Sequence, residues 1–450
     1  MDNPAISTSA GEKLREDTQK HDSGGETKVT SQNSSANESD GSKLVSSSPK
    51  VPSKNDQGWR RVVRNFSPSW FATTMGTGVV AVIFSTIPFE ARWLYWMSIV
   101  FFALNTLLFS LAIGISILRY TIWPEIWTVM IEDPNNSLFL GTVPMGFATL
   151  IEMWVHVCVP AWGEWAAYLV LALWIVDCIV AVAVTVSLGI LLMSASYQRS
   201  LDSITAAQLL PIAATIVAAG AGSEVASVMP EPHLALGAII ASYVLWGMAT
   251  PMAFTVLVIY YQRLALHKMP PREVIVSAFL PLGPLGFGGF TILNLGKRAA
   301  DVFPQTATLD PLAGRIAYIL GFFVALIMWG WGLLWFSFAL AALWKTAKNG
   351  GIPMNMGWWG FTFPLGVYAS STILLGRELP SLFFRVLGTI FGAAVIMLWA
   401  VIAVRTARGA YSGEMFRAPC LVNLKAEPQQ APLDGAETEA ASGGLDMLSK

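Results

Sequence analysis

The sequence predicts an all-α integral membrane protein: ten transmembrane helices, paired as five helical hairpins in a quasi-fivefold arrangement around a central pore. Three observations carry this prediction. The 450-residue chain is 54% hydrophobic and only 13% charged, whereas a soluble domain carries about 25% charged residues. It contains ten apolar stretches long enough to cross a ~30 Å hydrocarbon core as helices. Every second stretch carries a glycine-rich, mostly proline-bearing element at intervals of about 70 residues: Thr74-Met75-Gly76, Pro144-Met145-Gly146, Pro211-Ile212-Ala213, Pro284-Leu285-Gly286 and Pro364-Leu365-Gly366. Each interval has room for two spanning helices and their connections.

Residues 1–57 are rich in Ser, Asn, Lys, Glu and Asp and lack an apolar core, so they are expected to form a disordered cytoplasmic tail without a secretory signal. Trp59-Arg60-Arg61-Val62-Val63-Arg64-Asn65-Phe66 reads as a basic amphipathic approach helix on the membrane surface. The ten spans follow at about 69–88, 93–118, 137–158, 164–193, 204–222, 234–260, 272–296, 312–343, 357–376 and 382–405. The membrane domain is thus assigned to 58–410, and 411–450 is expected to be a second disordered cytoplasmic tail.

The odd spans hold the kinks, read at Gly76, Pro144, Pro211, Pro284 and Pro364. Proline removes a helix hydrogen bond, and in lipid the freed carbonyl must find a neighbour or water. Span 7, with Pro281-Leu282-Gly283-Pro284-Leu285-Gly286-Phe287-Gly288-Gly289, is the extreme case. The even spans are more uniformly apolar, as lipid-facing helices should be, Pro251 excepted. The odd helices are therefore expected to line a path.

Thirteen Lys and Arg fall on the side of the amino terminus against five on the other. The positive-inside tendency places both termini in the cytoplasm. The net charge of −1 gives no reason to expect a nucleic-acid partner. Cys158, Cys178 and Cys420 have no metal-ligand spacing. Leu295-Gly296-Lys297 lacks the residues of a phosphate-binding loop. No nucleophile–base constellation stands in a soluble domain. No cofactor, metal or enzymatic activity is expected.

Hydroxyls suited to lining a path are Thr74, Thr77, Thr142, Thr149, Thr291 and Ser370. Lys297 and Arg298 end span 7 and are candidates for anion attraction. Glu152 and His156, four apart on one helix, are candidates for proton coupling. Glu224 and Glu231 flank the loop after span 5 and are expected in water.

Asn65-Phe66-Ser67-Pro68-Ser69-Trp70-Phe71 with Met75-Gly76-Thr77-Gly78, Ser137-Leu138-Phe139-Leu140-Gly141-Thr142 with Pro144-Met145-Gly146, Ala241 to Gly247, His267 to Val274, and Pro281 to Gly289 form a set of blocks. Together they resemble the fungal sulfite efflux pumps of the tellurite-resistance/dicarboxylate transporter superfamily, which also holds fungal malate permeases and plant slow anion channels. The resemblance spans about 59–410. It implies a plasma-membrane exporter of sulfite or bisulfite, a homotrimer with one pore per protomer, and a phenylalanine plug on the ninth helix. Phe363, directly before Pro364, is the matching residue, with Phe361 as fallback. The alternatives are a C4-dicarboxylate carrier and, from another class, a membrane sensor or scaffold without transport.

Overall fold

The computed structural model describes residues 58–89, 91–133, 135–194, 201–418 and 420–421. The expected amino-terminal tail and most of the carboxy-terminal one lie outside the described residues. Among the described residues the chain is helical throughout, with no strand. A short basic helix, α1 (Gly58–Arg64), leads in. It is followed by α2 (Phe71–Thr86), α3 (Arg92–Ile122), α4 (Glu125–Glu132), α5 (Thr142–Met153), α6 (Val159–Trp162) and α7 (Glu164–Ser194). Then come α8 (Leu209–Ala226), α9 (Pro232–His267), α10 (Leu282–Val302), α11 (Ala313–Lys348), α12 (Thr362–Glu378) and α13 (Leu382–Tyr411).

Nine helical segments among the described residues are long and apolar enough to cross a membrane. The remaining predicted stretch, 357–376, becomes the 17-residue α12 behind a 3-10 turn, Met356–Gly360.

Burial divides the long helices into two sets. In the segments ending in α2, α5 with its continuation, α8 and α10, between 67% and 94% of the most apolar window is buried; in α3, α7, α9, α11 and α13 the share is 22% to 39%. Every residue of α12 up to Gly376 is buried. The buried set is therefore the glycine-rich odd set. Each buried helix packs on the next in the order α2, α5, α8, α10, α12, and α12 packs on α2. Each also packs on the long exposed helix that follows it in sequence.

A second set of contacts ties each exposed helix to the following buried one. Asn105 Nδ2 of α3 donates to Thr149 Oγ1 of α5 at 3.1 Å. Trp174 Nε1 of α7 donates to the Ala218 carbonyl of α8 at 2.8 Å, and Trp246 Nε1 of α9 to the Gly288 carbonyl of α10 at 2.9 Å. Trp329 Nε1 of α11 donates to Thr372 Oγ1 of α12 at 2.9 Å, and Trp399 Nε1 of α13 to Thr77 Oγ1 of α2 at 3.0 Å. Buried indole N–H groups need such acceptors, and each bond contributes about 1 kcal/mol net. Glycine makes room for them: a methyl on Gly222 would stand 2.5 Å from the Trp174 ring, and one on Gly78 2.6 Å from Asn105 Nδ2.

The prolines correct one expectation. Pro144, Pro211, Pro284 and Pro364 are each the third residue of their α-helix, not kinks within it. A missing N–H costs nothing there, because first-turn donors have no partner inside the helix. Each of the five buried helices is preceded by a 3-10 turn, and that junction is the irregularity the repeat encodes. Gly76 lies inside the unbroken α2, where a side chain would meet Thr362 and Trp359. At the start of the expected carboxy-terminal tail, Phe416 stacks on Trp70 at 4.8 Å, and Ala418 and Cys420 are buried beside Met130. Apolar residues continue past position 410 and find a surface to cover.

Candidate functional site

The five buried helices meet around a narrow cavity of about 130 Å³. α2 contributes Val82 and Thr86, and α5 with its continuation contributes Glu152 and His156. Glu224 comes from α8, and Phe287, Phe290, Asn294, Lys297 and Arg298 from α10. α12 supplies Ser370, Ile373, Leu374 and Arg377. Thr86, His156 and Arg377 also line a larger open pocket of about 590 Å³, so they form the wall between the two spaces.

The ionisable side chains are held by specific partners. His156 sits in a π turn, Trp154–Cys158, where the Val159 N–H reaches back to the Trp154 carbonyl. Pro160, which has no N–H to donate to the His156 carbonyl, favours this break. The extra residue aims the imidazole at Ser85 Oγ, 3.0 Å from Nδ1, and at Glu224, whose Oε2 is 3.5 Å from Nε2. Asn294 Nδ2 donates to Glu224 Oε1 at 2.7 Å and to Ser223 Oγ at 2.9 Å. Lys297 Nζ donates to Glu378 Oε1 at 2.6 Å, and the Tyr318 hydroxyl donates to Glu378 Oε2 at 2.6 Å. Arg377 Nη2 donates to the Thr86 carbonyl at 2.6 Å.

Two donors of the lining are left over. Among the described residues, Arg298 Nε and Ser370 Oγ are buried without a hydrogen-bond partner. Leaving such groups unmet costs about 1–3 kcal/mol each, which a bound acceptor would recover.

The structure thus separates the residues singled out in the sequence. Glu152, His156, Lys297, Arg298 and Ser370 come together at the cavity. The threonines do not: Thr74, Thr77, Thr142, Thr149 and Thr291 each donate to a carbonyl three or four residues back, as membrane hydroxyls commonly do. Phe363 is buried in the first turn of α12, seven residues and roughly 10 Å of helix before Ser370. Phe361 precedes α12 and packs edge-on to Phe279. Phe287 and Phe290, stacked at 5.2 Å, are the rings that reach the cavity, Phe287 close against Gly220.

Glu224 was expected in water and is instead in the lining. α8 runs to Ala226, one turn beyond the predicted end. The signal was available, because nothing breaks the helix before Pro230. Lys297 is the clearest case of a paired cation. Lys297→Ala should destabilise the protein by about 1–2 kcal/mol, between the values for exposed and buried pairs, because Lys297 is partly exposed. Adding Glu378→Gln should restore most of the loss; thermal unfolding of the purified protein reads both.

Helical segments long and apolar enough to cross a bilayer, with buried helices converging on a polar cavity, define a polytopic membrane protein. The chain belongs to the voltage-dependent anion channel family, which its residues 65–407 match. It is 45% identical to the sulfite efflux pump of Arthroderma otae over 355 residues, 79% of this chain and 93% of that protein. It is 29% identical to the sulfite efflux pump of Candida albicans, covering 75% of this chain and 72% of that one. The malic acid transport protein of Schizosaccharomyces pombe is 24% identical over 351 residues, 76% of this chain and 77% of that one. The resemblance carried by Pro281 to Gly289 and its companion blocks therefore holds.

Proposed function

We propose that this protein exports sulfite or bisulfite across the plasma membrane through a pore that includes the inner cavity. One observation carries the reading: all five buried helices contribute to a cavity bearing Lys297, Arg298 and Arg377, with two donors still unmet. The 45% identical sulfite pump supports the choice of anion. An inside-negative potential favours anion exit by about 2.3 kcal/mol per charge per 100 mV, so a gated path suffices for export without ATP.

In this proposal the ten helices form five hairpins around the pore with quasi-fivefold symmetry. The succession of contacts among α2, α5, α8, α10 and α12, and the five outer-to-inner hydrogen bonds, support it. α12 then crosses together with its leading turn, both termini are cytoplasmic, and protomers assemble as homotrimers. Phe363 obstructs the pore and Glu152 with His156 passes protons. Light scattering in detergent tests the trimer, and terminal epitope accessibility tests the orientation. An imposed pH gradient at constant bisulfite tests the coupling; flux that ignores the gradient would remove it.

A C4-dicarboxylate is the second reading, favoured by the likeness to the malic acid transport protein. A dianion needs spare positive charge, and Glu378 already occupies Lys297. Labelled sulfite and labelled malate presented to the same proteoliposomes decide between them. Sulfite flux without malate flux is expected. Malate flux alone would establish the dicarboxylate reading, and flux of neither would leave a sensor or scaffold.

A further inference from the structure

We infer that Arg298, Ser370 and Glu152 together bind one oxyanion with one proton, so that the site selects a singly charged, hydrogen-bearing oxyanion over a dianion. This rests on the proposed transport of sulfite species and names which of them the cavity accepts.

The inference follows from which groups in the lining are already occupied. Lys297 is held by Glu378, and Glu378 also accepts from Tyr318. Arg377 donates to the Thr86 carbonyl and stands at the wall shared with the open pocket. His156 is placed between Ser85 and Glu224, and Glu224 accepts from Asn294. Three polar side chains of the cavity are left. Arg298 Nε and Ser370 Oγ are buried donors with no acceptor among the described residues. Ser370 is 5% exposed and so is Glu152. Glu152 lines the cavity and has no hydrogen-bond partner among the described residues.

Two unmet donors and one unmet carboxyl define what fits between them. The ligand must offer at least two acceptor oxygens, one for the guanidinium and one for the hydroxyl. It must also share a proton with Glu152. Bisulfite, through its O–H form, does all three. Sulfite dianion or sulfate would satisfy Arg298 and Ser370 but set two negative charges against Glu152 and Glu224 across a narrow cavity. Buried like charges repel strongly, and a site built around a hydrogen bond rejects the partner that lacks it.

The charged groups around Glu152 agree with this. Glu224 on α8 and Asp177 on α7 are its acidic neighbours. α10 presents Lys297 and Arg298, α12 presents Arg377, and His156 follows on its own segment. α2 presents no titratable group to the inner cavity, and α3 reaches α5 with Asn105. With Lys297 taken by Glu378, Arg298 and Arg377 already balance Glu152 and Glu224 when both carboxylates are ionised, so every added negative charge is uncompensated and a dianion adds one more than bisulfite does.

The test is flux of labelled sulfite into proteoliposomes at fixed total concentration, with pH stepped through the bisulfite–sulfite equilibrium, and sulfate as competitor. In the wild type, flux should follow the bisulfite fraction, falling as pH rises, and sulfate should not compete. Arg298→Ala and Ser370→Ala should each weaken bisulfite binding about tenfold or more at every pH, with Arg298→Lys partly restoring it. Ligand-induced thermal stabilisation should be lost in both alanine variants while the ligand-free melting temperature is kept. In Glu152→Gln the amide can donate to a dianion, so the pH dependence should flatten and sulfate should begin to compete. Wild-type flux that tracks the dianion, or alanine variants that transport and bind like the wild type, would overturn the inference while leaving sulfite transport standing. Absence of any sulfite flux in the wild type would instead remove the function on which it rests.

Discussion

Gly296→Val is expected to prevent the membrane domain from assembling, whereas Gly330→Val should be tolerated. A methyl at position 296 would stand 2.5 Å from the Ala317 carbonyl oxygen and 2.8 Å from the Tyr318 Cα, both backbone atoms of α11. α11 answers with two glycines of its own: a methyl on Gly314 would stand 2.5 Å from the Ala299 carbonyl oxygen, and one on Gly321 2.5 Å from that of Ile292. Three glycines thus bring two backbones into contact along one seam, the usual device of helix packing in lipid. Backbone cannot turn aside as a side chain can, so the whole seam must open. Overpacking costs about 1–3 kcal/mol where side chains yield, and this substitution should exceed that range. The proposed anion site would be lost with it, because Lys297 and Arg298 are the next two residues. Gly330, on the same α11, has nothing within 4 Å of such a methyl. Monodispersity and thermal unfolding after detergent extraction distinguish the two. A Gly296→Val protein that stays folded with wild-type stability would contradict this packing.

The second large effect concerns the proposed aromatic obstruction. Phe287 reaches the cavity, and Phe363 lies roughly 10 Å of helix away from Ser370. Rings in sequence along a path act as barriers in series, each excluding water from its own level. Removing one leaves the other limiting. Phe287→Ala and Phe363→Ala should therefore each raise sulfite flux modestly, and the double substitution should raise it about tenfold or more, equivalent to removing a barrier of only ~1.4 kcal/mol. Flux that falls in all three variants would mean that both rings support packing and not closure. A full effect from Phe363→Ala alone would make it the one gate.

Much of the membrane domain was legible in the chain, for a simple reason. A helix that faces other helices must be small-featured, and one that faces lipid need only be apolar. The Gly, Ala and Thr of Leu209–Ala226 against the Ile, Leu and Val of Glu164–Ser194 announce this contrast directly. Proline misled because hydropathy locates a span without locating its first helical turn. Pro144, Pro211, Pro284 and Pro364 lie inside apolar stretches yet at the start of α-helices. The site was legible only in part. Lys297 and Arg298 are adjacent in sequence, and nothing there reveals that Glu378, 81 residues on, takes the first and leaves the second. Glu224 was legible, since nothing breaks the helix before Pro230, but hydropathy alone ends the span four residues before the helix does. The π turn that aims His156 depends on backbone bonding that side-chain periodicity does not report.

The central claim is that the cavity where the five buried helices meet lies on the anion path. A cysteine placed in its wall tests this most directly. Leu374 is a nonpolar residue of that wall, and Val401 on α13 is exposed on the outer surface. In a chain with Cys158, Cys178 and Cys420 replaced, Leu374→Cys and Val401→Cys would each be labelled with a small thiol reagent, washed, and assayed for sulfite flux. Labelling at 374 should block flux and labelling at 401 should not. Complete labelling at 374, verified by mass, with flux unchanged would place the path elsewhere.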